Sequence, residues 1–168
     1  YQLGVLRDAA SRGGSVAMHD RVAEGDTLVI SAPKNHFSLA AGARRHLLLA
    51  GGIGITPILC MAERLAMVGA DFALHYATRS RARTALLDRI AGASFHFDDG
   101  PASQKLDLDQ VLAGPPAEGT HLYVCGPKGL MDAVLATARA RGWPESQLHY
   151  EFFGAAPTAQ SGDGTFEV

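Results

Sequence analysis

The stretch Leu48-Leu49-Ala50-Gly51-Gly52-Ile53-Gly54-Ile55-Thr56-Pro57 joins an apolar run to three glycines and then to a helix start. Glycines directly after a buried strand let the backbone turn tightly and bring N–H groups close to a diphosphate. A helix N-terminus behind them adds partial positive charge. Thr56 as a cap and Pro57 in the first turn mark the helix boundary but not a ligand. The spacing departs from the G-x-G-x-x-G of ordinary dinucleotide-binding turns, and any strand-to-helix turn favours glycine, so a turn without a ligand is the competing reading. A second stretch, Val124-Cys125-Gly126-Pro127-Lys128-Gly129-Leu130-Met131, ends an apolar run in a thiol beside a glycine. A small polarizable side chain there can border a flat ring without blocking it; a strand-end cysteine that merely packs is the alternative. No His or carboxylate lies close by in sequence to activate Cys125 as a nucleophile.

The elements that must carry these residues alternate regularly. Strands are predicted at 46–50, 72–78, 94–97, 121–125 and 147–152, with helices at 56–68, 84–90, 106–112 and 129–140 between them. Short apolar strands separated by helices pair in parallel and take helices on both faces. The expected class is therefore α/β, with a five-stranded parallel sheet doubly wound by helices. In such a sheet ligands bind at the carboxyl ends of the strands, and Gly51, Thr78, Asp98 and Cys125 all fall at or just past predicted strand ends. Ahead of this domain, 2–7 and 27–32 read as strands, and 16–22 as a short helix capped by Ser15.

With 168 residues, 47% hydrophobic, 19% charged and a net charge of −2, the chain has the balance of an ordinary globular protein. Nothing in that balance calls for nucleic acid or an anionic membrane as partner. No apolar run approaches the ~20 residues of a membrane-spanning helix. Cys60 and Cys125 are far apart in apolar settings and read as reduced thiols, which suggests a cytoplasmic protein. The histidines show no H-x-x-H or H-x-x-x-H pair, so no metal site is expected.

Taken together, Gly-Gly-Ile-Gly-Ile-Thr-Pro and, some seventy residues on, Cys-Gly-Pro-x-Gly resemble the pyridine-nucleotide domain of the ferredoxin–NADP reductase superfamily. Four further segments are similar to its phthalate dioxygenase reductase-type branch, the reductase components of Rieske-type aromatic oxygenases and O-demethylases. They are Arg12-Gly13-Gly14-Ser15, Ser31-Ala32-Pro33-Lys34-Asn35-His36-Phe37, His75-Tyr76-Ala77-Thr78-Arg79-Ser80 and Glu151-Phe152-Phe153-Gly154. The resemblance runs over nearly the whole chain in the right order. It implies an oxidoreductase that moves hydride from NADH to FMN, and electrons singly through a [2Fe-2S] centre to a Rieske-type oxygenase.

Carried onto this sequence, the resemblance implies that Gly13, Gly14 and Ser15 hold the flavin phosphate, with Arg12 adding charge, while Val5 and Leu6 touch the flavin through their backbone. A solvated turn is the rival for residues 12–15. Thr56 would stand where flavin and nicotinamide meet, and Gly51, Gly52, Gly54, Pro57, Cys125, Gly126 and Pro127 would frame the nicotinamide and diphosphate. Thr78, Arg79 and Ser80 would face the adenosine ribose. The acidic partner usual for a ribose 2′-OH is missing there and the stretch 79–83 is basic, yet the branch generally uses NADH. Asp98 and Asp99 lie near the adenosine side, or serve only the turn before Gly100-Pro101. Phe153 would lie on the flavin ring until nicotinamide displaces it, and Glu151 would meet the carboxamide. Only one of Phe152 and Phe153 can face the flavin if both lie in a strand.

The resemblance divides the chain into the end of an antiparallel flavin-binding barrel (1–41), a nucleotide domain (42–154), and a linker with the first strand of a [2Fe-2S] domain (155–168). Tyr1 and Val168 both fall inside what read as strands, which suggests a window of a longer polypeptide. The Arg-x-Tyr-Ser flavin motif and the C-x4-C-x2-C…C cluster motif of the branch do not occur. Two alternatives keep the fold: a flavohaemoglobin- or cytochrome-type reductase module, and a nucleotide-binding regulatory subunit without catalysis.

Overall fold

Six consecutive residues from His46 to Gly51 are buried, the pattern of a strand covered on both faces. In the computed structural model, which describes residues 2–153, they form most of β1 (Arg45–Gly51). The other strands are β2 (Asp71–Thr78), β3 (Ser94–Phe97), β4 (Thr120–Cys125) and β5 (Leu148–Glu151). All pair in parallel in the order β3-β2-β1-β4-β5. The helices are α1 (Gly14–Asp20), α2 (Ile55–Met67), α3 (Leu108–Val111) and α4 (Lys128–Ala140).

The sheet separates two cores. On one face, Leu48, Ala50, Leu74, Tyr76, Tyr123 and Cys125 pack against Ile55, Ile58, Leu59, Met61, Ala62 and Leu65 of α2, a stripe at helical spacing. On the other, Leu47, Leu49, Leu122, Val124 and Leu148 pack against Leu112 and against Met131, Val134, Leu135 and Ala138 of α4. The expected doubly wound sheet is the one observed, and β1, β2 and β4 begin within one residue of the expected bounds.

Several local expectations are corrected. The described residues form no strand at 2–7 or 27–32; a strand exists only with a ladder partner, and the five-stranded sheet offers neither segment one. Leu28, Val29 and Ile30 are exposed instead. The helix expected at 84–90 gives way to short 3-10 turns at Arg81–Arg83 and Leu87–Arg89, separated by Leu86 at φ 58°, a left-handed conformation that no α-helix continues through. Ser15 lies inside α1, whose N-cap is Gly13, and its hydroxyl accepts the Asp8 N–H at 3.2 Å. Thr56 is likewise one residue inside α2, capped by Gly54, and its hydroxyl donates back to the Ile53 carbonyl at 3.1 Å. Gly154 and the segment 155–168 lie outside the described residues. Among the described residues no helix is long and apolar enough to cross a membrane.

The parallel register also brings histidines together that are distant in sequence. His121 and His149 share a hydrogen bond of 2.8 Å, and His46 stands beside His121 in register. On the opposite face His75 and His96 share one of 3.0 Å. Burial pushes His46, His75, His96 and His149 below the ordinary 6.5. His121 lowers His46 and His149 further and His96 lowers His75, whereas Asp71 raises His46 and the Lys105 backbone raises His96. Groups with depressed folded pKa bind fewer protons in the native state than in the unfolded chain. Their contribution is therefore complete above about pH 6.5 and is lost as pH falls from there through the folded values. The denaturant midpoint at about pH 5.5 should lie clearly below that at about pH 7.5, and equal midpoints would show that the histidines do not carry this linkage.

Candidate functional site

Because every strand is parallel, Gly51, Thr78, Phe97, Cys125 and Glu151 end their strands along one edge of the sheet. From β1 the chain winds one way to β2 and β3, and β4 and β5 lie on the other side, so the order reverses between β1 and β4. A crevice at such a switch point is where open α/β sheets bind ligands.

Both glycine turns flank that point, and they touch backbone to backbone. A Cβ on Gly126 would stand 2.9 Å from Gly51 Cα, and one on Gly51 would stand 2.8 Å from Pro127 Cδ and run into Leu130. A Cβ on Gly54 would collide with the Cys125 carbonyl and stand 2.6 Å from the Gly126 nitrogen. Gly51, Gly54 and Gly126 are thus required by close approach. Gly52 differs: it has φ 50°, and a Cβ placed on it would meet no atom within 4 Å, so its outer side is open. The sequence did not single out Tyr76, whose buried hydroxyl donates to the Gly52 carbonyl at 3.0 Å. A tyrosine two residues before a strand end was the available signal, but only the β1–β2 register puts it under the turn.

On the β2–β3 side the rim is ordered by polar contacts. The hydroxyls of Thr78 and Thr84 bond each other at 2.8 Å and both reach the Ser80 carbonyl, at 3.2 and 2.9 Å. The N–H groups of Asp98 and Asp99 donate to the carbonyls of Thr78 and Arg79, each at 3.1 Å, which extends the pairing past both strand ends. Arg79, Arg81 and Arg83 are exposed, and among the described residues none of them forms an ion pair. Gly100 N–H donates to the Phe97 carbonyl at 3.2 Å, so the turn role of this segment is realised as well.

Cys125 is fully buried, and its thiol is pushed up to about 12, first by burial and then by Glu151, its register partner on β5. At neutral pH it is a protonated packing group rather than a nucleophile. Glu151 and Pro57 border an open cleft of about 680 Å³ formed with the loop 33–39 and with Cys60, Met61 and Arg64 of α2. Phe152 and Phe153 are both about half exposed. Tyr150 and Phe152 meet edge-on at 5.6 Å.

The segment before the sheet reaches the same region. A Cβ on Gly4 would stand 2.6 Å from Thr56 Cγ2, which places Val5 and Leu6 beside the start of α2. The Val5 carbonyl is hydrogen-bonded to His19 Nε2 at 2.8 Å, and Arg7 pairs with Asp20. Gly13 and Gly14 face open space, Gly13 N–H donates to Ser11 Oγ at 3.1 Å, and Arg12 is exposed.

The sheet order and the rim define an α/β domain of the ferredoxin reductase-like FAD/NAD-binding class. The chain belongs to the family described as dimethylamine monooxygenase subunit DmmA-like, N-terminal domain, whose model matches residues 29–148. It is 56% identical over 174 residues to vanillate O-demethylase oxidoreductase from Pseudomonas putida, covering 100% of this chain and 54% of that protein. It is 44% identical over 159 residues to the carnitine monooxygenase reductase subunit of Acinetobacter baumannii, covering 92% of this chain and 49% of that one. Among solved structures, phthalate dioxygenase reductase, a modular structure for electron transfer from pyridine nucleotides to [2Fe-2S], matches with TM-score 0.82 and 38% identity over 92% of this chain and 49% of its own. The chain spans about half the length of the curated relatives it matches.

Two outcomes follow from this geometry. Gly54→Ala should cost more than about 2 kcal/mol or prevent folding, because backbone must move, whereas Gly52→Ala should cost only about 1 kcal/mol of left-handed strain; similar denaturation midpoints for the two would contradict the contact. At about pH 8, iodoacetamide should label exposed Cys60 in the native protein and reach Cys125 only after denaturation, as peptide mass mapping would reveal.

Proposed function

We propose that this chain supplies the pyridine-nucleotide module of an oxygenase reductase, an enzyme taking hydride from NADH onto FMN and passing electrons singly through a [2Fe-2S] centre to a Rieske-type oxygenase. The observation that carries the reading is the meeting of two glycine turns at the switch point of a parallel sheet, in a chain whose relatives are reductase components of oxygenases.

The residues present fit a dinucleotide. Gly52 opens outward, and the first turns of α2 and α4 both start at the crevice, offering backbone N–H groups to a diphosphate. Gly51, Gly52, Gly54, Pro57, Gly126 and Pro127 would hold that diphosphate and the nicotinamide ribose. Thr78, Arg79, Ser80 and Asp98 would take the adenosine side. Thr56, touched by the Gly4 segment, would stand between nicotinamide and flavin.

The fit to FMN is through the segment before the sheet. Gly13 and Gly14 are unobstructed and the Ser15 hydroxyl keeps its proton for a phosphate oxygen, with Arg12 nearby in sequence. Val5 and Leu6 would line the ring. Residues 1–41 are proposed as the end of a flavin-binding barrel, and 42–154 as the nucleotide domain. The cluster would be held outside this chain, because its two cysteines are split between the sheet core and the surface.

When bound, FMN supplies the conversion of a two-electron hydride donor into single-electron transfers. The chain's own residues orient and exclude water. Cys125, fully covered here, would meet the nicotinamide only once the atoms over it move aside, and Phe153 is the exposed aromatic proposed to yield to the ring. Glu151 would accept the carboxamide N–H. No side chain need move a proton in hydride transfer, which agrees with a thiol held near 12.

The FMN-loaded protein, treated with NADH without oxygen, should lose its flavin absorbance. Persistence of the yellow colour with both NADH and NADPH would overturn the reductase reading in favour of a regulatory nucleotide-binding module.

A further inference from the structure

Tyr76 carries no role in the reading above, yet it is fully buried two residues before the end of β2, with its ring tilted against Phe95 at 6.2 Å. A phenol hydroxyl in such a core is costly unless bonded. Here it donates to the Gly52 carbonyl at 3.0 Å, in the turn after β1. The backbone of Ala85, in the loop after β2, faces the same oxygen and lowers a pKa that burial raises. One phenol thereby ties together the two loops that flank β1 and β2 at the rim.

The tie also fixes the orientation of a peptide. Gly52 has a positive φ and no side chain to anchor it, and besides Tyr76 its carbonyl receives the Ile55 N–H within the turn. A peptide unit is planar and trans, so its carbonyl and its N–H point in opposite directions. With the Gly52 carbonyl drawn inward to Tyr76, the Ile53 N–H of the same peptide is aimed outward. We infer that Tyr76 is a positioning residue for the nucleotide: it aims the Ile53 N–H at the diphosphate and holds the adenosine-side loop in step with that turn. The inference rests on the nucleotide-binding reading of the rim.

Tyr76→Phe keeps the ring and removes only the hydroxyl. Tyr123→Phe is the matched control, a buried tyrosine on the same sheet face whose hydroxyl accepts the Ala40 N–H at 2.8 Å rather than bonding a glycine turn. In the FMN-loaded protein, Tyr76→Phe should raise KM for NADH roughly five- to tenfold, the scale of one lost buried hydrogen bond, while kcat stays within about twofold. Tyr123→Phe should leave KM unchanged. An unaltered KM in Tyr76→Phe, a fall confined to kcat, or an equal rise of KM in Tyr123→Phe would each overturn the positioning role. Wild-type protein that does not bind NADH would instead overturn the nucleotide-binding reading, and the inference with it.

Discussion

Backbone-to-backbone contact between the turns that leave β1 and β4 is the constraint from which the rest of the rim follows. Adjacent parallel strands lie about 4.8 Å apart, and the chain must leave both at one edge and enter a helix on opposite faces of the sheet. Gly54 beside the Cys125 carbonyl and Gly126 beside Gly51 leave no room for a β-carbon. A side chain at either place would push the turns apart and widen the crevice where the strand order reverses. α2 and α4 start directly behind these turns, so their N-termini are held at a separation set by the glycines. The two cores are consequences of the same choice, since each helix covers the face its turn delivers it to.

What could be read from the sequence was whatever the periodicity of a single segment decides. β1 and β4 are apolar on both faces, which marks central strands without reference to a partner, and α2 and α4 carry apolar stripes with glycine stops. The segments at 2–7 and 27–32 show strand-like composition as well, but a ladder is a property of two segments and these lack one among the described residues. Leu86 fails for a different reason: nothing in its type announces a left-handed backbone, and that one residue divides an otherwise plausible helix. The caps moved by two residues, to Gly13 and Gly54, and the hydroxyls of Ser15 and Thr56 bond instead to the Asp8 N–H and the Ile53 carbonyl, outside their helices.

The rim glycines and Cys125 were legible as a group, since strand-end position alone assigns them to one edge. Tyr76 and the histidine pairs were not. Tyr76 reaches Gly52 across 24 positions and His121 reaches His149 across 28, and no local pattern encodes which residues of parallel strands stand in register. Charge behaves likewise. Nothing near Cys125 in sequence activates it, and only the register shows why its thiol lies so high: Glu151 stands beside it, and the carboxylate adds to the effect of burial.

The two ends of the sheet therefore do different work. Below the rim, the paired imidazoles of β4 and β5 and the Tyr123 ring, stacked on His149 at 4.6 Å, fill the space between strands. At the carboxyl end stand backbone amides, two hydroxyls bonded to each other, the Glu151 side chain and a buried, protonated thiol. The two hydroxyls are engaged with each other, and the thiol keeps its proton at neutral pH. Chemistry that draws its reactivity from bound groups would ask of such a rim distance, orientation and exclusion of water. Hydride transfer between two stacked rings is a reaction with those requirements. The precision of the turns is then the property on which the proposed reductase would depend.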